Sequence, residues 1–85
     1  CTMDPWYPLG SADMLEVAHM AVHAVPMTSR EAMAWCFESV TLNGHRAMGL
    51  PDPTLREGGP ASFVLLQARD PIEAVRLRAT RLLVV

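Results

Sequence analysis

Two histidines near the start of the chain are the residues whose spacing most readily suggests chemistry. His19 and His23 stand four positions apart in "MLEVAHMAVH", so on a helix they share one face. Two imidazoles placed in this way can bind one metal ion. A metalloprotease helix of the H-E-x-x-H type, however, needs glutamate where this chain has Met20, and no third ligand follows at a recognisable spacing. We therefore predict structural roles for both histidines and no metal ligand in this chain.

An aromatic pair in the stretch "DPWYPLG" is the second candidate. Trp6 and Tyr7 lie between Pro5 and Pro8, whose rings restrict the backbone on both sides. Large amphipathic rings held in a stiff loop suit the binding of a planar ligand. The alternative is that the two rings close one end of a hydrophobic core, and residue types alone favour this alternative slightly.

The remaining reactive side chains have simpler explanations. Cys36 lies between Trp35 and Phe37, so we expect a small buried apolar residue rather than a nucleophile. Asp13 and Glu16 suit the positive end of a helix dipole. We therefore predict no catalytic residue in this chain.

Composition restricts the class of protein. The chain has 85 residues, of which 51% are apolar and 19% charged, and its formal charge is −2. Without a block of basic residues or an apolar run of about 18 residues, we expect neither nucleic acid nor a membrane as a partner. Cys1 and Cys36 form no C-x-x-C pair, which favours reduced thiols and a cytoplasmic location. From the first residue, Cys1, and the apolar final run we also expect a piece of a longer protein.

Helices dominate the first fifty residues in the predicted pattern. Ser11 is the expected N-cap of a first helix that continues to about Val25. Apolar residues cover most of the circumference of this helix, so we expect it to be packed on more than one side. Thr28 and Glu31 form a capping box for a second helix that continues to Val40. A short third helix is expected over 42–48, with Thr41 as its cap and Gly49 as its stop.

The second part of the chain alternates between loop, strand and helix. Proline and glycine predict a loop over 51–60, and the apolar run 62–66 predicts a buried strand. Asp70 and Pro71 are typical of a helix start, and residues 82–85 predict a second strand. Two strands do not form an independently stable sheet, so this pattern requires further partners.

Three segments together resemble one enzyme superfamily. The stretch "DPWYPLGSADMLEVAHMAVH" resembles the amidohydrolase superfamily and is most similar to its cytosine deaminase group, in which such a loop follows the eighth barrel strand. The stretch "SVTLNGHRAMGL" resembles the helix and turn after the barrel, and "GGPASFVLLQARDPIEAVR" the return to a small β-domain. The resemblance implies an α/β fold: the C-terminal end of a metal-dependent hydrolase (β/α)8 barrel plus return strands. As a fragment, the chain would be mostly helical with two short strands.

The resemblance also implies a division of the chain and a function. Residues 1–50 would complete the barrel, 51–60 would be a linker, and 61–85 would begin the truncated β-domain. The parent enzyme would deaminate cytosine or a related small amino-heterocycle with a divalent metal ion, iron or zinc, held outside this fragment. Trp6 would bind the substrate at the mouth of the barrel. The parent is expected to be a cytoplasmic homo-oligomer, and the isolated fragment to be inactive.

Two alternatives stay open at this point. A cyclic-amide or triazine amidohydrolase would share the fold and differ in substrate. A non-catalytic small helical interaction domain would explain the apolar excess by a partner surface.

Overall fold

The computed structural model describes residues 10–85, in which four helices and two strands alternate with loops. In chain order these are α1 (Met14–Ala24), α2 (Arg30–Ser39), α3 (Leu42–Ala47), β1 (Val64–Leu66), α4 (Pro71–Leu77) and β2 (Arg81–Val84). This is the mostly helical architecture with two short strands that the sequence predicts. Residues 51–60 contain neither helix nor strand. The division into barrel, linker and β-domain parts stays a prediction.

Helix α1 begins two residues later than the sequence predicts. Asp13, not Ser11, is its N-cap, and the Asp13 carboxylate accepts hydrogen bonds from the amides of Leu15 and Glu16, at 2.8 and 3.4 Å. A carboxylate at this position satisfies amides that have no partner within the helix and also interacts with the positive end of the dipole. The expectation for Ser11 was wrong: its hydroxyl donates to the Glu16 carboxylate instead of capping the helix.

Helix α2 shows a similar shift at its start, whereas α3 begins at Leu42, as the sequence predicts. Ser29, not Thr28, caps α2: the Ser29 hydroxyl accepts a hydrogen bond from the Ala32 amide at 3.1 Å. The expected capping box of Thr28 and Glu31 is therefore wrong. Thr41 occupies the N-cap position of α3, but its hydroxyl donates back to the Phe37 carbonyl at 2.8 Å instead of capping. Gly49 follows α3 with a φ of 68°, the left-handed conformation expected of a glycine stop.

Strands β1 and β2 form an antiparallel pair, with α4 in the connection between them. Val64 is paired with Val84 and Leu65 with Leu83, and the register shifts between Leu65 and Leu66. Asp70 caps α4 by accepting from the Glu73 amide at 2.8 Å, which confirms the predicted helix start. The expectation of a buried strand over 62–66 is wrong, because four of those five residues are exposed and only Leu66 packs against the core.

The core lies where α1, α2 and α4 meet. Val75 of α4 is fully buried at its centre. The other buried apolar residues are small or of medium size: Leu15, Ala18, Val22, Cys36, Ala74 and Ala79. Burial of Cys36 agrees with its predicted role as a small apolar residue.

Only one side of α1 is covered. Leu15, Ala18 and Val22 are buried, whereas Met14, Val17 and Val25 are 54%, 47% and 59% exposed. The expectation that α1 is packed on several sides is therefore wrong for the described residues, because α2 and α4 both approach the same side. Within residues 10–85, no helix has the length and apolar character needed to cross a bilayer.

Candidate functional site

The turn that leads into α1 is the first described part of the chain after the predicted substrate-binding residue in the sequence. Trp6 and Tyr7 lie outside the described residues, so the role of Trp6 stays a prediction. The turn contains Ala12 in a left-handed conformation, with a φ of 58° that side chains other than glycine rarely adopt. Ser11 donates a hydrogen bond from its hydroxyl to the Glu16 carboxylate, across the turn.

Two ion pairs connect the start of α1 to the end of α4 and to the start of β2. The Arg81 guanidinium donates to the Asp13 carboxylate, and Arg78 donates to Glu16 over 3.1 Å. The hydrogen bond from Arg81 holds the pKa of Asp13 below its ordinary value. Asp13 thus serves as helix cap and as partner of a residue 68 positions away. This long-range connection has no counterpart in the local sequence pattern.

His19 and His23 lie side by side on α1, as their spacing predicts. Their ring centroids are 4.3 Å apart. Nδ1 of His19 is 2.9 Å from the Val75 carbonyl oxygen, and Nδ1 of His23 is 2.7 Å from the His19 carbonyl oxygen. A carbonyl only accepts, so both Nδ1 atoms donate. His19 therefore connects α1 to α4.

The donor set around this pair does not fit a metal site. Zinc and similar ions need three or four protein ligands, and residues 10–85 contain no group of three or more His, Cys, Asp or Glu side chains close enough to hold an ion. In the full-length hydrolase, changing both His19 and His23 to Gln is expected to leave metal content and turnover nearly intact. Loss of the His19 bond should lower the free energy of unfolding by about 0.5–1.5 kcal/mol.

Metal analysis and thermal unfolding of the purified double variant check this expectation. His45→Gln, which removes the remaining histidine of the chain, is the matched control. Loss of the bound ion from the double variant but not from the control would show that the pair is a ligand after all.

A groove of about 590 Å³ opens beside the start of α1, where Met14 and Leu15 contribute to its lining. It lies between the end of α2, α3, residues 53–55 and the strand pair, and its lining is mostly apolar. His45 and Arg81 are the ionisable residues in this lining, and Nδ1 of His45 is 3.1 Å from the Thr41 carbonyl oxygen. The groove combines residues from 14 to 85, so no spacing in the sequence could have indicated it.

Cys36 has the surroundings of a structural residue. Its side chain is buried, and Sγ lies 3.5 Å from Sδ of Met27. This burial agrees with the expectation that Cys36 is a small buried apolar residue.

Comparison with known protein families gives a match over the whole chain. The family model described as "Amidohydrolase family" matches residues 1–85. No curated protein and no solved structure matches the chain.

Proposed function

The chain belongs to the amidohydrolase family, and from this premise we propose that it is the C-terminal part of a larger hydrolase that deaminates cytosine or a related amino-heterocycle. One observation carries the hydrolase assignment: the family match covers residues 1–85. The choice of an amino-heterocycle depends on the resemblance of the "DPWYPLG" loop, residues 4–10, to the cytosine deaminase group.

Two features of the described residues support the proposal of a larger enzyme. The strand pair has only two strands and exposed apolar side chains on both, whereas a stable sheet needs more strands or a covering layer. In addition, residues 10–85 contain no cluster that could bind a catalytic metal. We propose that 1–50 belong to the barrel, that 51–60 are a linker, and that 61–85 enter the small β-domain.

Amidohydrolases are generally metal-dependent. The described residues contain no group of side chains that fits a metal site. We propose that a divalent ion, iron or zinc, is held by residues outside this chain. We propose further that the substrate is a small molecule and that the parent enzyme is a cytoplasmic homo-oligomer.

Trp6 is the residue of this chain to which we assign contact with the substrate. An indole has no useful acid or base function, but it offers a flat apolar face and one N–H donor. Pro5 and Pro8 restrict the loop on either side, so less conformational entropy is lost when a planar ring binds. Trp6 therefore binds and orients the heterocycle, and groups elsewhere in the enzyme perform the chemistry.

Trp6→Ala in the full-length hydrolase tests this proposal. The variant is expected to lose transition-state binding worth about 1–3 kcal/mol, on the scale of base–aromatic stacking. Steady-state kinetics on cytosine, a dihydropyrimidine and an aminotriazine would show the loss in kcat/KM, with the metal still bound. Trp35→Ala is the matched control, because Trp35 is 59% exposed on α2 and has no proposed role in binding.

The substrate panel also separates the proposal from its alternatives. Ammonia release from cytosine that depends on Trp6 supports the proposal. Activity confined to the dihydropyrimidine or the triazine would replace the substrate assignment with a cyclic-amide or triazine hydrolase. Wild-type kcat/KM in Trp6→Ala on every compound would refute the role of Trp6.

A further inference from the structure

We propose that Asn43 and Gly44 of α3 form a modification site, at which Asn43 loses ammonia without an enzyme and becomes isoaspartate or aspartate. The inference is independent of the proposed function and concerns a different part of the chain. The reaction needs two atoms close together: the side-chain Cγ of an asparagine and the backbone nitrogen of the next residue. Glycine in the second position leaves this nitrogen unshielded, because it has no Cβ.

The reaction consumes one water molecule and releases one ammonia molecule. The Gly44 nitrogen gives up its proton and bonds to Cγ of Asn43. The bond from Cγ to the side-chain nitrogen breaks, and that nitrogen leaves with the proton as ammonia. Water then opens the cyclic succinimide at either of its carbonyls. One opening gives aspartate, and the other gives isoaspartate, in which the main chain passes through the former side chain.

The amide of Gly44 is available as the nucleophile. Gly44 is the third residue of α3, and the first amides of a helix have no partner within it. Thr41 occupies the N-cap position but does not cap these amides, since its hydroxyl donates to the Phe37 carbonyl. Across residues 10–85, no backbone carbonyl accepts a hydrogen bond from the Gly44 amide. The nitrogen can therefore react without first breaking such a bond.

The reaction also requires α3 to open, because a helical backbone keeps the Gly44 nitrogen away from Cγ of Asn43. The helix has six residues, of which none is buried, and it has no side-chain cap. A helix of this length is marginal in water on its own, so α3 depends on its contact with α2. We expect α3 to open locally, at a free energy far below that of unfolding the whole chain.

Packing explains why glycine follows asparagine at this place. A Cβ at position 44 would lie 3.1 Å from the Ser39 carbonyl oxygen, which is closer than ordinary van der Waals contact. Gly44 thus allows α3 to approach the end of α2. The residue that this packing requires is also the residue that makes Asn43 reactive.

Mass spectrometry of tryptic peptides tests the inference in the full-length hydrolase, aged at mildly alkaline pH in native buffer and in urea. Peptide 31–46 contains Asn43 and no other side-chain amide, so a gain of about 1 Da there reports this residue alone. Peptide 57–69 contains Gln67, the remaining side-chain amide of the sequence, and is the internal control that should stay unchanged. The native rate should be within about tenfold of the rate in urea. A native rate more than about a hundredfold slower would overturn the inference, because α3 would then open only with most of the fold.

A variant separates this reaction from other changes of mass. Asn43→Gln keeps a side-chain amide but moves its carbonyl carbon further from the Gly44 nitrogen. Peptide 31–46 of this variant should therefore stop gaining mass. A continued gain would show that the change lies elsewhere in the peptide and would refute the site.

The isoaspartate form is expected to lose α3. Isoaspartate adds one carbon to the main chain between Thr41 and His45, whose carbonyl and amide form a hydrogen bond of 3.0 Å at the start of the helix. In the separated isoaspartate form, amides 42–48 should exchange hydrogen as fast as in urea. Asn43→Asp has the new charge and an unchanged main chain, so it is the matched control and should exchange as the wild type does. Equally slow exchange in both would contradict the expected loss of α3.

Discussion

Val75→Asp is expected to unfold the helical core of this chain. Val75 is 0% exposed and sits where α1, α2 and α4 meet. An unpaired carboxylate buried there should cost about 3–5 kcal/mol. A domain of this length has a total stability of roughly 4–13 kcal/mol, so the penalty is a large fraction of the total and equals it at the lower end of the range. Far-UV circular dichroism of the 85-residue chain, followed through a urea titration, measures the effect.

Leu77→Asp is the control for this experiment. Leu77 lies two positions later on the same helix, but 59% of it is exposed, so its carboxylate would stay in water. The control should keep the helical signal of the wild type, and surface substitutions of this kind usually change the free energy of unfolding by less than about 0.5 kcal/mol. Equal helical signals in both variants would contradict the arrangement of α4 described here.

The second large effect is expected on self-association. Leu65 and Leu83 face each other across the strand pair and are 50% and 48% exposed. Exposed apolar strands readily pair with other chains, so the isolated chain should associate at micromolar concentration and bind hydrophobic dyes. Changing both leucines to Thr keeps strand propensity and should raise the concentration needed for association by roughly tenfold to hundredfold.

Sedimentation velocity over a range of concentrations measures this shift. The matched control replaces Leu50 and Leu55 by Thr, because these leucines are 48% and 63% exposed but lie in a loop. The control should associate as the wild type does. A monomeric wild-type chain with a sharp cooperative thermal transition would show instead that the exposed strand faces carry no penalty.

The preferences of single residues predict some helix starts and ends correctly and misplace others. The start of α4 at Asp70 and Pro71 and the stop at Gly49 follow from single residues with strong conformational preferences. The starts of α1 and α2 were misplaced because capping residues follow each other closely, as in Thr28–Ser29. For α1 the choice of Asp13 coincides with its contact to Arg81, which no local pattern contains.

The candidate site shows the same limit. Spacing correctly places His19 and His23 on one face, because helical periodicity is a local property. The contact of His19 with the Val75 carbonyl joins residues that are 56 positions apart in the sequence. The ion pairs of Arg78 and Arg81 join residues with similar sequence separations. Strand burial was predicted wrongly for a related reason: an apolar run indicates what a strand would bury, not whether a covering layer is present.

The separation of α1 from α4 along the chain has a consequence for the order of events during protein synthesis. The apolar side of α1 is complete at Ala24, but the core residues Ala74, Val75 and Ala79 follow about fifty positions later. At translation rates of about 5–20 residues per second, α1 waits roughly 3–10 s for its partner helix. During that interval α2 is the helix of this three-helix core that is already available to α1, so the core described here stays incomplete until α4 emerges.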